Sequence, residues 1–129
     1  MRSLKYFLIF ISAIFIAGCM NTPEKEKEPL IVGNGNDVVV TLKVDDNKNI
    51  EKIEFSSNGN IVTINKTEII VNNVFIYNFE NKGEGTFKTC IYKLNDTICT
   101  VSYVERGYTP QMEFVKDSLI FTDFIGLEY

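Results

Sequence analysis

From residue 38 onward, the sequence alternates between short apolar runs and clusters of turn-forming residues. The runs are rich in valine, isoleucine, threonine, phenylalanine and tyrosine, which favour β-strands. The clusters between them, such as Ser57-Asn58-Gly59 and Asn72-Asn73, have the composition of tight turns. No run keeps the i, i+3, i+4 apolar spacing of a long helix. The pattern predicts strands over residues 38–44, 50–56, 60–64, 68–71, 74–79, 86–93, 97–104, 111–115 and 119–125.

Short strands at this regular spacing predict a small all-β domain. The expected fold is an antiparallel β-sandwich, Ig-like in general architecture, and a small closed β-barrel is the alternative. A true immunoglobulin domain is not expected, because the chain has no tryptophan to pack against a disulfide between two sheets. Residues 74–79 are apolar on both faces and predict a strand covered on both sides. Residues 38–44 alternate, which predicts a strand with one wet face.

Two cysteines flank the candidate turn at residues 93–96 symmetrically. If this segment is the turn of a β-hairpin, Cys90 falls directly opposite Cys99. Facing residues of antiparallel strands are about 4.5–5.5 Å apart at Cα, a separation that a disulfide can bridge. We therefore predict a structural disulfide that pins one hairpin. A redox or metal-binding pair is the alternative, but the sequence has neither C-x-x-C spacing nor any histidine.

The amino-terminal segment has the layout of an export signal. Arg2 and Lys5 precede an apolar run over residues 6–17. A run of this length fits the core of a signal peptide, about 7–15 residues, and is shorter than the roughly 18 residues that span a bilayer. The run ends in small residues followed at once by a cysteine. These four residues, Ile16-Ala17-Gly18-Cys19, resemble the lipobox of bacterial lipoproteins.

In that family, a peptidase cuts before the cysteine, whose sulfur carries a diacylglycerol and whose new amino group is often acylated. The resemblance implies that Cys19 is the lipidated residue and that palmitate-type acyl chains hold the protein to a membrane of the cell envelope. This would be the outer membrane in a Gram-negative cell, since no aspartate follows the cysteine, and otherwise the outer face of the cell membrane. The alternative is an ordinary secretory signal that leaves Cys19 as a spare thiol.

Between Cys19 and the first predicted strand, the chain has the composition of a solvated spacer. It contains few apolar residues and an alternating Glu-Lys run over residues 24–28. We therefore predict a signal peptide over residues 1–18, a lipidated cysteine with a flexible tether over residues 19–36, and a single β domain over residues 37–129. Removal of the signal leaves 11 of the 13 basic residues against 17 acidic ones, a net charge of −6. Such a chain is not expected to bind nucleic acid.

The sequence offers little catalytic machinery. The absence of histidine excludes Ser-His-Asp and Cys-His catalysis and histidine-ligated zinc. G-x-S-x-G and glycine-rich phosphate loops are also missing. We therefore predict no catalytic residue, metal site or cofactor, and a protein that is not an enzyme. Asp45, Asp46 and Asn47 carry oxygen ligands of the kind calcium prefers, but their spacing does not match an EF-hand, and we interpret them as turn residues.

Residues 105–110 have the composition of a binding loop. They include Arg106, the only arginine after the signal, and Tyr108, which falls outside strand alternation. Arginine and tyrosine are enriched at binding hot spots, so we predict that both contact a partner. The alternative is that Tyr108 packs over the end of the domain and that Arg106 pairs with an acidic residue.

The expected location and the composition together favour a non-catalytic binding module, anchored to the membrane, that binds an unidentified envelope protein or glycan. A lipid-anchored inhibitor or immunity-type protein against an envelope-lytic enzyme is the alternative. Lipid-anchored lysozyme inhibitors, which are small disulfide-bonded β-barrels, are similar to this chain in size, expected location and fold class.

Overall fold

The computed structural model describes the backbone of residues 28–125 and the side chains of residues 28–122. Within this range, nine strands form two packed sheets, and the only helix is a single short one that cannot cross a membrane. The elements are β1 (Leu30–Gly33), β2 (Val38–Val44), β3 (Ile50–Ser57), β4 (Asn60–Asn65), α1 (Lys66–Ile69), β5 (Val74–Phe79), β6 (Glu84–Lys93), β7 (Thr97–Glu105), β8 (Thr109–Val115) and β9 (Ser118–Ile125).

The two sheets confirm the prediction of a small all-β sandwich. The five-stranded sheet has the order β1-β5-β2-β8-β9, and the four-stranded sheet has the order β4-β3-β6-β7. Most neighbours are antiparallel, whereas β1 pairs with β5 and β2 pairs with β8 in parallel. The segment that contains α1 crosses from β4 in one sheet to β5 in the other. The sheets face each other without closing into a barrel.

Alternate side chains of each strand fill the space between the sheets. In β2, Val38, Val40 and Leu42 are fully buried, while the intervening residues are partly or fully exposed, as predicted for a strand with one wet face. The rings of Phe55 and Tyr77 stack at a centroid distance of 5.0 Å, and Phe79 continues the stack. The buried apolar side chains are Val38, Val40, Leu42, Val44, Ile50, Ile53, Phe55, Ile64, Ile69, Phe75, Tyr77, Phe79, Phe87, Ile91, Val104, Tyr108, Met112 and Phe114.

The outer face of β5 is less covered than its apolar sequence predicts. Its burial alternates, with Phe75 and Tyr77 buried and Ile76 only partly buried. Ile76 lies opposite Ile31 of β1, which is itself 60% exposed. The prediction of cover on both faces is therefore wrong, because the second apolar row of β5 is shielded by its neighbour in the sheet and not by another layer.

The first strand is the main departure from the predicted domain boundary. Residues 30–33, which we expected in the tether, form β1, with Leu30 opposite Phe75 and Val32 opposite Tyr77. Both Leu30 and Val32 pack against the core. Three apolar residues beside a charged run are too few to be recognised from periodicity. The fold therefore includes residues 30–33.

Residues 68–71, expected to be a strand, lie in α1 and the turn that follows it. The Asn65 backbone N–H donates to Glu68 Oε1 at 3.5 Å, the reciprocal half of a capping box. Ile69 is fully buried under the crossing, and its carbonyl accepts a hydrogen bond from the Asn47 side chain at 2.7 Å. The spacing of Asn65 and Glu68 is typical of a helix start. The β-branched residues around it favour a strand, and the prediction followed them.

The hairpin formed by β6 and β7 has the predicted register. The Lys93 N–H donates to the Asp96 carbonyl at 2.8 Å, and Cys90 lies opposite Cys99 in a disulfide with a Cα separation of 4.1 Å. Cys90 is buried, with 2% of its surface exposed, while Cys99 lies on the exposed edge. The hairpin between β3 and β4 turns at Asn58 and Gly59, both with positive φ, as a two-residue turn requires.

Replacing both Cys90 and Cys99 with alanine is expected to lower the free energy of unfolding by about 2–3 kcal/mol, the chain-entropy effect of a loop this short. Urea unfolding followed by circular dichroism measures the loss. Reduction of the wild-type protein should reproduce it, and the double variant should not respond to reductant. A double variant as stable as the oxidised wild type would contradict the structural role of the disulfide.

The strand directions define two ends of the sandwich. We call the end where β1 begins the entry end, and it also holds the loop 45–49, α1, and the turns at 93–96 and 116–117. We call the opposite end the distal end. Four loops lie there, at residues 34–37, 58–59, 80–83 and 106–108.

Candidate functional site

Backbone hydrogen bonds join three loops of the distal end, those at residues 34–37, 80–83 and 106–108. The Gly107 N–H donates to the Asp37 carbonyl at 2.6 Å, and the Arg106 N–H donates to the Gly83 carbonyl at 3.3 Å. Gly107 has a φ of 93°, a left-handed conformation that favours glycine. These contacts fix the 106–108 loop against both of its neighbours.

An ion pair with a fixed carboxylate lies at the centre of the distal end. Asp37 Oδ1 is 3.2 Å from Arg106 Nε, and Asp37 Oδ2 accepts the Asn81 N–H at 2.9 Å. The Asn81 side chain is buried and donates to the Gly83 carbonyl at 2.7 Å. The carboxylate is 19% exposed, whereas the Arg106 side chain is 69% exposed. A surface ion pair contributes only about 0–1 kcal/mol, so Arg106 can exchange Asp37 for a partner's acceptor at small cost.

An open hollow of about 660 Å³ adjoins this ion pair. Its rim carries carboxylates of Asp37 and Glu80 and the cations of Lys82 and Arg106, and residues 34–36 complete its wall. Small apolar ligands bind in enclosed, mainly apolar pockets. This open and charged hollow instead fits part of a polar surface, such as a peptide or a glycan.

Tyr108 supports the loop from beneath. Its ring is 7% exposed, and its hydroxyl donates to Glu105 Oε2 at 3.0 Å. Its carbonyl accepts the Val39 N–H at 3.2 Å. The structure thus gives the two predicted residues of this loop different environments, with Arg106 at the surface and Tyr108 in the rim of the core.

An accessible aromatic ring that packs against the 106–108 loop belongs to Tyr103, which the sequence did not indicate. It is 46% exposed and packs edge to face on Tyr108, with centroids 6.4 Å apart. Desolvation, helped by the neighbouring Glu105 carboxylate, raises the pKa of its phenol. The signal available in the sequence was its place in the outward-facing row of β7, two residues after Val101.

A second hollow, of about 390 Å³, opens between β1 and β4. Ser57 Oγ and the Tyr77 hydroxyl share a hydrogen bond of 2.5 Å in its wall. Burial raises the pKa of Tyr77, and the hydrogen bond from Ser57 opposes that rise. A phenol that stays neutral at neutral pH is neither a base nor a nucleophile, so this pair satisfies two buried hydroxyl groups and stabilises the fold.

The acidic turn after β2, at residues 45–49, has a structural role. Asp46 Oδ1 accepts the Lys48 N–H at 3.1 Å, and the side chain of Asn47 bonds to the crossing segment. Among residues 28–122, no group of three or more cysteine, aspartate or glutamate side chains is arranged to hold a metal ion. Cys19 lies outside the described residues.

Comparison with protein-family models, with curated proteins and with solved structures gives no match for this chain. The distal end is the candidate site, because it combines an exposed arginine, an accessible tyrosine and a hollow with a rigid backbone.

Proposed function

We propose that the protein is a lipid-anchored lipoprotein of the cell envelope that acts as a non-catalytic binding module and holds a partner protein or glycan at its distal end. The lipobox-like sequence that ends at Cys19 supports the anchor. The observation that carries the proposal is the placement of two features at opposite ends of the domain. The chain enters β1 at one end, and the loops around Arg106 meet at the other.

The spacer is short compared with the domain. Residues 20–29 reach roughly 33 Å when fully extended and about 17–19 Å as a relaxed coil. An anchor at Cys19 would therefore hold the entry end close to the membrane. The distal end is the part of the domain farthest from this attachment, which favours it as the surface that meets a partner.

The distal end is preorganised for a polar partner. The backbone bonds around Asp37 and Gly107 fix the loop before binding, which lowers the entropy cost of association. Arg106 supplies N–H donors for carbonyl or carboxylate groups, and Tyr103 supplies an aromatic face with a hydroxyl. This set of groups suits a protein loop or the hydroxyl-rich face of a glycan.

An inhibitor of an envelope-lytic enzyme is the second candidate. Carboxylates outnumber cations at the distal end, and an excess of negative charge attracts a basic enzyme. The carboxylates are Asp37, Glu80, Glu84 and Glu105, and the cations are Lys82 and Arg106. Inhibition would add one observable, the loss of the partner's lytic activity on binding.

Capture of partners from envelope extracts by the detergent-solubilised mature chain tests the proposal. Arg106→Ala is expected to raise the dissociation constant of the retained partner about tenfold, the effect of losing a contact worth about 1.4 kcal/mol, and so to lower retention at bait concentrations below that constant. Lys48→Ala is the matched control, since Lys48 is an exposed cation at the entry end. It should retain the partner at the wild-type level.

Each outcome separates the candidates. Equal retention by Arg106→Ala and the wild type would remove the distal loop as the site. If neither the wild type nor either variant retained a partner, the proposal of a binding module would be overturned. A lytic enzyme that is retained and silenced would establish the inhibitor.

A further inference from the structure

β7 is the long edge strand of the four-stranded sheet. One side of it pairs with β6, and the other pairs with no strand among residues 28–125, although β9 of the facing sheet approaches it. From Thr97 to Val104 it contains no charged residue, no proline and no glycine. Long uncharged edges pair readily with a further strand, and proteins usually protect them.

The other edges in the described part of the chain are shorter or interrupted. β1 has four residues. β4 ends at Asn65, whose backbone N–H donates to the Glu68 carboxylate. The pairing of β9 shifts register between Gln111 and Met112, the mark of a β-bulge. β7 lacks each of these devices.

The hairpin register shows which backbone groups of β7 are free to pair. The bond between Lys93 and Asp96 makes the Cys90–Cys99 pair a non-hydrogen-bonded one, in agreement with its Cα separation of 4.1 Å. The N–H and C=O groups of Cys99, and by alternation of Val101 and Tyr103, therefore point away from β6. The Thr97 N–H is already bonded to Asp96 Oδ1 at 2.9 Å, so the run that can pair begins at Cys99. The Tyr103 carbonyl accepts the Ser102 hydroxyl at 3.3 Å and keeps one lone pair for a further strand.

We propose that β7 pairs antiparallel with β7 of a second copy about a two-fold axis at Val101, joining the two four-stranded sheets into one. Val101 is the middle residue of β7 and is 62% exposed, so this register overlaps the strands completely. Val101 then faces its own copy, and Cys99 faces Tyr103. The disulfide sulfur and the tyrosine ring form a favourable pair.

The strand is complementary to itself in charge. Its uncharged middle is flanked by Asp96 at the entry end and Arg106 at the distal end. Antiparallel pairing about Val101 brings Asp96 of one copy level with Arg106 of the other, and Glu105 faces Thr97. No like charges meet, which is what a self-pairing strand requires.

The edge is also rigid before it pairs. The disulfide ties β7 to β6 at Cys99, so little backbone order is gained on association. The two distal ends lie at opposite ends of the dimer, and Tyr103 and Arg106 of each copy contact the other copy at the paired edge. This dimer goes beyond the proposed function and does not depend on the partner.

Sedimentation velocity of the detergent-solubilised full chain, in density-matched detergent across the micromolar range, tests the dimer. We expect the wild type to be dimeric. Val101→Lys and Val101→Glu should each be monomeric, because like charges then face each other at the axis. Ile61→Lys is the matched control, since Ile61 is 65% exposed on the opposite edge strand, and it should remain dimeric.

An equimolar mixture of Val101→Lys and Val101→Glu chains should regain the dimer, because lysine then faces glutamate across the axis. If the variants were monomeric because they had unfolded, mixing them would not restore the dimer. A monomeric wild type, or a mixture that stays monomeric while both variants keep the wild-type circular dichroism, would overturn the proposal.

Discussion

Replacing Cys19 with alanine is expected to abolish incorporation of a palmitate analogue into the protein during growth. The proposed lipid would be attached through a thiolate, and Cys19 is the cysteine of the lipobox-like sequence. Cys90 and Cys99 are joined in a disulfide, so neither offers a free thiol. In-gel detection of the coupled analogue measures incorporation, and mass spectrometry of the wild type should give residues 19–129 plus lipid.

The double replacement of Cys90 and Cys99 with alanine is the control for this experiment. It leaves Cys19 in place, and each molecule should carry as much label as the wild type. An unmodified amino terminus beginning at Met1 on wild-type protein from the cytosol would contradict the anchor. Label retained by the Cys19→Ala variant would contradict its assignment to Cys19.

Phe55→Ala is expected to lower the free energy of unfolding by about 3–5 kcal/mol, the usual cost of truncating a buried aromatic side chain. Phe55 is fully buried and stacks on Tyr77, and β3 pairs with strands on both sides. Small domains are stable by only about 5–15 kcal/mol, so the variant would keep little margin. Urea unfolding followed by far-ultraviolet circular dichroism measures the change.

The matched control is Ile61→Ala on the neighbouring strand β4. Ile61 is 65% exposed, and the loss should stay within about 0.5 kcal/mol. If the two variants lost the same stability, the aromatic stack would not be the centre of the core.

The elements that local sequence determines were predicted well. The bounds of β2 and β5 match the prediction, because each strand lies between residues that favour turns. The register of β6 on β7 also follows from neighbouring residues, since one tight turn decides every pair beyond it.

The elements that depend on distant partners were not predicted. β1 is held by β5, more than forty residues later in the chain, and nothing near Leu30 indicates that partner. α1 exists because Ile69 is buried where the chain crosses between the sheets, whereas the local β-branched residues favour a strand. Tertiary contacts outweigh local propensity in both cases.

The candidate site divides in the same way. The sequence indicated the loop through its residue types, and it could not indicate that Tyr108 turns inward to Glu105 while Arg106 stays exposed. The ion pair of Arg106 joins it to Asp37, far earlier in the chain. Tyr103 contacts the loop only through the packing of its ring on Tyr108.

The parallel pairing of β1 with β5 determines how the domain bears tension. A pull between a lipid at Cys19 and a partner at the distal end would act along the axis of β1, from its first residue. Because β5 runs beside it in the same direction, the hydrogen bonds of this ladder would be loaded together in shear and would not open one at a time. Under the proposed anchoring, β1 would serve as a mechanical clamp.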